Sequence, residues 1–220
     1  MDLSNIEWPS RIFVTGIGTD VGKSYATGWL ARELNDNGIS CTTQKLIQTG
    51  NKDFSEDIAI HRKIMGIDLT EDDLAHTTAP VIFSYPASPH LAAMIDKKEI
   101  DFSIIDSASD VLCKKYHTVI IEGAGGLMVP LKNDYLTVDY ICDHCLPTIL
   151  VTGGQLGSIN HALLSLEAIR IRGIKLFGII YNPFFDKDKT ICDDTKKYLL
   201  NWMKERFPGS LWLEMPNSPL

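Results

Sequence analysis

Short runs of apolar residues alternate along this chain with longer segments in which apolar residues recur every three or four positions. Unbroken runs rich in β-branched residues are typical of strands that are covered on both faces, and the longer period is typical of helices. The runs are residues 11–14, 39–47, 117–122, 148–151, 176–181 and 211–213. This alternation predicts an α/β fold, a doubly wound, mostly parallel sheet with helices on both faces.

Helices are predicted between these strands. The first covers residues 22–37 and ends at Asn37-Gly38, because a glycine at this position ends helices. A short strand is expected at 81–83, and the proline-rich segment 84–90 is interpreted as a functional loop. The remaining predicted helices begin at Ser55 or cover residues 102–115, 158–170 and 193–206. No low-complexity linker interrupts the alternation, so we expect one domain over residues 1–220.

Composition narrows the class of protein. With 45% hydrophobic and 22% charged residues, and no apolar run long enough to span a bilayer, the chain is expected to have no membrane partner. Residues 1–9 lack the basic start and apolar core of a signal peptide, which favours the cytoplasm. The net charge of -7 disfavours a nucleic-acid surface, so small molecules are the expected partners.

Five cysteines occur at irregular spacing, which is typical of reduced thiols. Cys142 and Cys145 form the only C-x-x-C pair. A zinc site would need a second pair or a matching histidine pair, so a helix end with small buried thiols is favoured over a metal or redox site.

The clearest chemistry lies in the stretch from Thr15 to Ser24, a glycine-rich turn after the first apolar run. Lys23 and Ser24 follow the last glycine at the predicted start of a helix, so the stretch is interpreted as a phosphate-binding loop of the P-loop NTPase type. Five residues separate Gly16 from Gly22, where the standard pattern has four. The predicted nucleotide contacts are Gly18, Thr19, Asp20, Val21, Gly22, Lys23 and Ser24.

Further polar residues follow the next two predicted strands. In a parallel sheet the carboxyl ends of the strands meet at one edge, so Lys45 and Glu122 should converge on the phosphate loop. Ser24, Asp57 and Glu122 offer the oxygen ligands that Mg²⁺ prefers. Lys23 and Lys45 would neutralise charge on a transferring phosphoryl group. As alternatives, Lys45 is a surface lysine and Asp57 only complements a helix dipole.

Several of these segments together resemble dethiobiotin synthetase. They are the loop from Gly16 to Ser24 with its five-residue gap, Lys45-x-x-x-Thr49-Gly50, Ser88-Pro89-His90, the run from Glu122 to Gly126, residues 157–161 and Tyr181-Asn182. The resemblance spans nearly the whole chain. It implies an ATP- and Mg²⁺-dependent enzyme of biotin synthesis that closes the ureido ring of 7,8-diaminopelargonate with CO₂. The implied intermediates are a carbamate and a carbamic-phosphoric anhydride, and ADP and phosphate are released.

The resemblance also assigns roles to single residues. Lys45, with Lys23, is expected to be catalytic, and Lys45 and Thr49 face the carbamate. Gly125 lies near the diamine. Asn182 reads the adenine edge, and Pro216 is assigned to the nucleotide site.

Members of the family that this chain resembles are homodimers in which the substrate also contacts the partner subunit. The matching elements in this chain are Gly157 and Asn160 at a predicted helix start and Tyr198 on a later helix. They are expected to bind a substrate carboxylate through the amides at the helix start and the hydroxyl of Tyr198. Without the resemblance, Asn160 and Tyr198 would be ordinary helix residues.

Three other functions are consistent with a phosphate loop. ATPase switches that position chromosomes carry a lysine directly after the first loop glycine, where this chain has Ile17. Amide-forming ligases of the cobyrinate type attach a glutamine-hydrolysing domain, for which 220 residues leave no room. A non-catalytic nucleotide-binding module would leave Asp57 and Glu122 without an evident purpose.

Overall fold

A computed structural model describes residues 3–217 of the chain. Its strands are β1 (Arg11–Gly16), β2 (Cys41–Lys45), β3 (Gln48–Thr49), β4 (Ile82–Phe83), β5 (Thr118–Gly126), β6 (Pro130–Lys132), β7 (Tyr135–Leu136), β8 (Thr148–Gly153), β9 (Leu176–Asn182) and β10 (Leu211–Glu214). Its helices are α1 (Lys23–Asp36), α2 (Glu56–Met65), α3 (Glu71–Leu74), α4 (Pro89–Asp96), α5 (Phe102–Lys115), α6 (Thr137–Asp143), α7 (Ser158–Ile171) and α8 (Lys189–Arg206), with a 3₁₀ turn at Pro183–Phe185.

Six strands form one parallel sheet in the order β10-β9-β8-β1-β5-β2. Because β1 lies between β5 and β8, the chain that leaves its carboxyl end enters the crevice where ligands bind in open α/β sheets. The two small sheets, β3-β4 and β6-β7, lie outside this order. The predicted doubly wound parallel sheet is confirmed.

Apolar side chains fill both faces of the sheet. Ile12 and Val14 of β1 belong to one buried cluster with Trp29 and Leu30 of α1. Phe13, which lies between them in sequence, belongs to the opposite cluster, to which α5, α6, α7 and α8 contribute. Alternate residues of a strand point to opposite faces, so an unbroken apolar run is the pattern that a sheet covered on both faces requires.

Strand β5 is longer than the sequence pattern predicts. We expected it to end at Glu122, but it continues to Gly126, which pairs with Gly16 of β1. The register shifts between Val14 and Gly16, so β5 places two more residues than β1 in this interval and forms a bulge. Glycines weaken a strand pattern because they lack side chains, and here backbone pairing with β1 overrides that preference.

Other differences have local causes. Helix α8 begins before the predicted residue 193 because Asp188 accepts hydrogen bonds from the amides of Thr190 and Ile191. The segment 84–90 ends inside α4, which has Pro89 at its first position, where proline is favoured. Helices α3 and α6 and the β6-β7 hairpin were not predicted.

Two features bear on the composition-based expectations. All five cysteines are free; Cys142 ends up half-buried in α6, and Cys145, just beyond that helix, is exposed. The helix-end placement of this pair was therefore right, whereas its predicted burial was wrong.

Within residues 3–217, no helix combines the length and the apolar character needed to cross a membrane.

Candidate active site

A cavity of about 690 Å³ lies at the carboxyl ends of β1, β2 and β5. The phosphate loop, residues 17–22 between β1 and α1, forms one wall of this cavity. The first turn of α2 and the 3₁₀ turn after β9 contribute to its other walls. The predicted site residues that line the cavity are Thr19, Asp20, Gly22, Lys23, Ser24, Lys45, Thr49, Asp57, Glu122, Gly125 and Asn182.

The phosphate loop is held in shape by contacts with its surroundings. Gly22 has a φ of 90°, and a Cβ there would clash with Nδ2 of Asn182, so only glycine fits. The Lys23 ammonium donates a hydrogen bond to the carbonyl of Gly18 at 2.8 Å. No side chain caps the first turn of α1, so its free amides can bind an anion.

The site centres on four side chains, Ser24, Lys45, Asp57 and Glu122, which we call the carboxylate centre. Nζ of Lys45 lies 2.6 Å from Oδ2 of Asp57 and 2.8 Å from Oε1 of Glu122. Oγ of Ser24 lies 2.7 Å from Oδ1 of Asp57 and 3.0 Å from the same Oε1 of Glu122. One hydroxyl and one ammonium therefore bridge the two carboxylates.

Secondary structure positions each member of the carboxylate centre. Lys45 is the last residue of β2 and lies opposite Glu122 in the parallel register with β5. Asp57 is in the first turn of α2, which Ser55 begins by accepting a hydrogen bond from the amide of Ile58. Ser24 is in the first turn of α1. The surface-lysine alternative for Lys45 is wrong, because this residue is only 4% exposed.

Burial and charge set the protonation of this centre. Burial alone would raise the pKa of Glu122, but the Lys45 charge and the hydrogen bond from His61 lower it well below its usual range. Burial would lower the pKa of Lys45, but the charges of Glu122 and Asp57 raise it above its ordinary value. Lys45 and Glu122 are therefore both charged at neutral pH.

Lys23 behaves differently from Lys45. Burial lowers its pKa below the ordinary value, and the charge of Lys45 adds to this effect while Glu122 opposes it. A bound phosphate would supply the negative charge that stabilises the protonated form.

The donor set of the carboxylate centre fits a magnesium ion. Ser24, Asp57 and Glu122 bring hydroxyl and carboxylate oxygens within hydrogen-bond distance of one another, and Mg²⁺ prefers such hard oxygen ligands beside phosphate and water. Lys23 and Lys45 already balance the charges of Asp57 and Glu122. A polyphosphate that entered the site would therefore add negative charge that a divalent cation offsets.

The sequence interpretation missed one residue at this centre. His61 is fully buried, and its Nε2 lies 2.6 Å from Oε2 of Glu122. A signal for it existed, because His61 follows Asp57 by four positions and residues at this spacing share one face of a helix.

An aromatic pair was also missed. Phe184 and Phe185 in the 3₁₀ turn line the cavity beside Asn182, with ring centroids 5.0 Å apart and planes at 89°. Asn182 ties this turn to the phosphate loop, since its Nδ2 donates to the carbonyl of Val21 and its Oδ1 accepts from the amide of Phe184, both at 3.0 Å. The Asn182 side chain therefore joins this turn to the phosphate loop, in addition to its predicted contact with adenine.

Some predicted residues lie outside the cavity. Gly157 and Asn160 are at the start of α7, and Tyr198 on α8 is 48% exposed. A second cavity of about 550 Å³ runs between α7 and the turn after β5. Pro216 is exposed, although its two neighbours line the first cavity.

Comparison with known proteins identifies close relatives. A family model described as an AAA domain (AAA_26) matches residues 10–201. ATP-dependent dethiobiotin synthetase BioD 2 of Pasteurella multocida is 46% identical over 91% of this chain and 94% of its own length. The protein of the same name from Haemophilus influenzae is 52% identical over 80% of this chain and 93% of its own length.

Solved structures with the same fold are more distant in sequence. FlhF complexed with GMPPNP and Mg²⁺ aligns with a TM-score of 0.55 at 11% identity, over 98% of this chain and 69% of its own. A ParA family ATPase from Chlorobium tepidum aligns with a TM-score of 0.52 at 16% identity, over 95% of this chain and 85% of its own. At these identities the similarity shows the fold alone.

Removal of the Lys45 ammonium from the carboxylate centre should destabilise the folded protein. Lys45→Met leaves buried Glu122 beside Asp57 without the ammonium that contacts both carboxylates, so we expect the free energy of unfolding to fall by about 3–5 kcal/mol in metal-free buffer. Urea unfolding measures this change. Millimolar Mg²⁺ should recover part of the loss. Lys52→Met, at an exposed lysine, is the control, and an equally small loss in both variants would contradict the burial of a charged centre.

Proposed function

This chain belongs to the family of ATP-dependent dethiobiotin synthetases, ligases of biotin synthesis, and we propose that it closes the ureido ring of 7,8-diaminopelargonate with CO₂. The products are dethiobiotin, ADP and phosphate. The observation that carries the proposal is the carboxylate centre, in which Lys45 bridges Asp57 and Glu122 beside the phosphate loop. Such a centre serves a reaction whose every stage carries anionic oxygen.

The proposed reaction has three steps. One substrate amine attacks CO₂ and loses a proton, which gives a carbamate. A carbamate oxygen then attacks the γ-phosphorus of ATP, whose bond to the bridging oxygen breaks, so that ADP leaves and a carbamic-phosphoric anhydride forms. The second amine attacks the carbamoyl carbon, the bond to the phosphate oxygen breaks, and the ring closes with loss of phosphate and a proton.

The residues of the chain bind and orient these anions. Lys23 and the free amides at the start of α1 bind the nucleotide phosphates, since both are donors on one wall of the cavity. Lys45 places its charge between the γ-phosphoryl group and the carbamate, with Thr49 as a second donor to the carbamate. Holding both reactants in one cavity lowers the entropic part of the barrier.

Ser24, Asp57 and Glu122 would hold Mg²⁺, which when bound neutralises charge on the phosphates and draws them into line. Gly125 lies beside this centre, and its φ of 67° and the close approach of Val129 exclude a side chain. The backbone of Gly125 is proposed to border the diamine next to the phosphate loop. Asn182 and Pro216 are proposed at the base end of the nucleotide, where Phe184 and Phe185 supply apolar surface.

We further propose that the chain forms a homodimer across α7 and the second cavity. Apolar side chains on this face are strongly exposed: Leu156 by 89%, Leu164 by 64% and Met128 by 57%. Contiguous exposed apolar surface marks interaction sites, and Leu164 and Met128 line the second cavity together. Gly157, Asn160 and Tyr198 lie outside the nucleotide cavity, so they suit a role on the substrate that the partner subunit binds.

The reaction gives a first prediction. Purified protein with ATP, Mg²⁺, bicarbonate and 7,8-diaminopelargonate should yield a product with the mass of dethiobiotin, and ADP release should depend on both the diamine and bicarbonate. Mass spectrometry and a coupled ADP assay measure the two. An ATP hydrolysis rate that is equal without the diamine would contradict the synthetase and favour a nucleotide-dependent switch.

The dimer gives a second prediction. Leu164→Glu places a charge on the proposed interface, so the mass measured by light scattering should fall from twice the 24.5 kDa of one chain to a single chain. Ile104→Glu is the matched control, because Ile104 is 51% exposed on α5 and lies outside the proposed face. A wild-type protein with the mass of one chain would refute the dimer.

A further inference from the structure

We propose that His61 is a positioning residue that fixes the orientation of the Glu122 carboxylate and thereby the divalent-cation site of the carboxylate centre. The inference rests on the proposed function, since it assumes that Ser24, Asp57 and Glu122 hold a cation with the nucleotide. Its observation is separate: a buried chain of hydrogen bonds ends on the oxygen of Glu122 that faces away from Lys45.

The two oxygens of Glu122 have different partners. Oε1 contacts Lys45 and Ser24, whereas Oε2 lies 2.6 Å from Nε2 of His61. An ionised carboxylate only accepts hydrogen bonds, so Nε2 must carry the hydrogen. This contact is fully enclosed, since Glu122 is 1% exposed and His61 0%. With Oε2 held from behind, the carboxylate cannot turn Oε1 away from the site.

The other ring nitrogen is held as firmly. Nδ1 of His61 lies 2.9 Å from Oγ1 of Thr43, and that hydroxyl accepts a hydrogen bond from Nη1 of Arg62 at 2.9 Å. The hydroxyl hydrogen of Thr43 is therefore free to point at Nδ1. The chain of donors runs in one direction, from Arg62 through Thr43 and His61 to Glu122.

The chain of hydrogen bonds begins at the contact between Arg62 and Asp73. Arg62 is 2% exposed, and its Nε and Nη2 bind the two carboxylate oxygens of Asp73 at 2.8 Å each. Asp73 also accepts from the hydroxyl of Thr78 at 2.7 Å and from the amide of Thr70 at 2.7 Å. Burial alone would raise the pKa of Asp73, but the hydrogen bonds from Arg62 and Thr78 lower it.

A buried polar chain of this kind is costly to form, and each member is satisfied only while the others stay in place. Groups that orient the ligands of a metal typically change its affinity by 10–100-fold when they are lost. The fully buried imidazole behind Glu122 has the position of such a group.

The test compares two substitutions of His61. His61→Gln keeps an N–H donor near the position of Nε2, whereas His61→Leu fills similar space without a donor. We expect His61→Leu to weaken Mn²⁺ binding in the presence of a non-hydrolysable ATP analogue by roughly 10–100-fold, and His61→Gln to stay much closer to wild type. Electron paramagnetic resonance of free Mn²⁺ measures the affinity without any turnover.

A second pair of variants applies if His61→Leu fails to fold, which circular dichroism reports. Thr43→Val cuts the chain one step away from His61, and we expect Mn²⁺ affinity to fall several-fold. Thr42→Val is the matched control, because Thr42 is a buried neighbour on the same strand that bonds Arg62 at 3.3 Å and does not contact His61. We expect this variant to keep wild-type affinity.

The outcomes separate the two proposals. Wild-type protein that binds no Mn²⁺ with the nucleotide would refute the proposed cation site itself. Wild-type binding together with unchanged affinity in His61→Leu, or in Thr43→Val if the leucine variant does not fold, would overturn the role of His61 alone. An equal loss of Mn²⁺ affinity in His61→Gln and His61→Leu, or in Thr43→Val and Thr42→Val, would mean that these side chains act only through packing. This result would also overturn the role of His61.

Discussion

The contact between Lys45 and Glu122 is the interaction on which the site depends. The parallel register of β2 and β5 places these residues opposite each other at the carboxyl end of β2, and α2 adds the carboxylate of Asp57. Glu122 is buried and Asp57 is half-buried, and two carboxylates this close repel each other unless a cation lies between them. Lys45 supplies that cation in the free protein, so the side chain that is proposed to carry charge for the reaction also stabilises the fold.

The phosphate loop lies next to the glycine run that follows Glu122. The bulge in β5 after Glu122 turns the glycine run back towards β1, where a Cβ at Gly126 would lie 3.2 Å from the carbonyl of Gly16. A Cβ at this position would crowd the carbonyl, so the close approach favours glycine. Ile17, in the position where the switch ATPases carry a lysine, instead lines the second cavity with apolar surface. The loop therefore binds phosphate on one side and borders the proposed dimer face on the other.

Much of this arrangement could be predicted from sequence, because it depends on local patterns. The apolar runs predicted the central strands, and the glycine-rich turn followed by Lys23 and Ser24 predicted the phosphate loop. The chain of Arg62, Thr43 and His61 behind Glu122 could not be predicted, because it joins residues of α2 and β2 through tertiary contacts that no short motif encodes. The placement of Lys45 near the phosphate loop was predicted from its position after a strand, and a surface lysine was only the alternative. The substrate-binding role of Gly157, Asn160 and Tyr198, which lie outside the nucleotide cavity, stays a prediction.

The central claim is that Lys45 and a divalent cation share the carboxylate centre during the reaction. A crystal structure with Mn²⁺ and a non-hydrolysable ATP analogue tests it most directly, since anomalous scattering locates the metal. We expect Mn²⁺ bound by the Ser24 hydroxyl and by carboxylate oxygens of Asp57 and Glu122, with the Lys45 ammonium turned towards the γ-phosphate. A metal bound away from these three residues, with the Lys45 contacts to both carboxylates unchanged, would contradict the account.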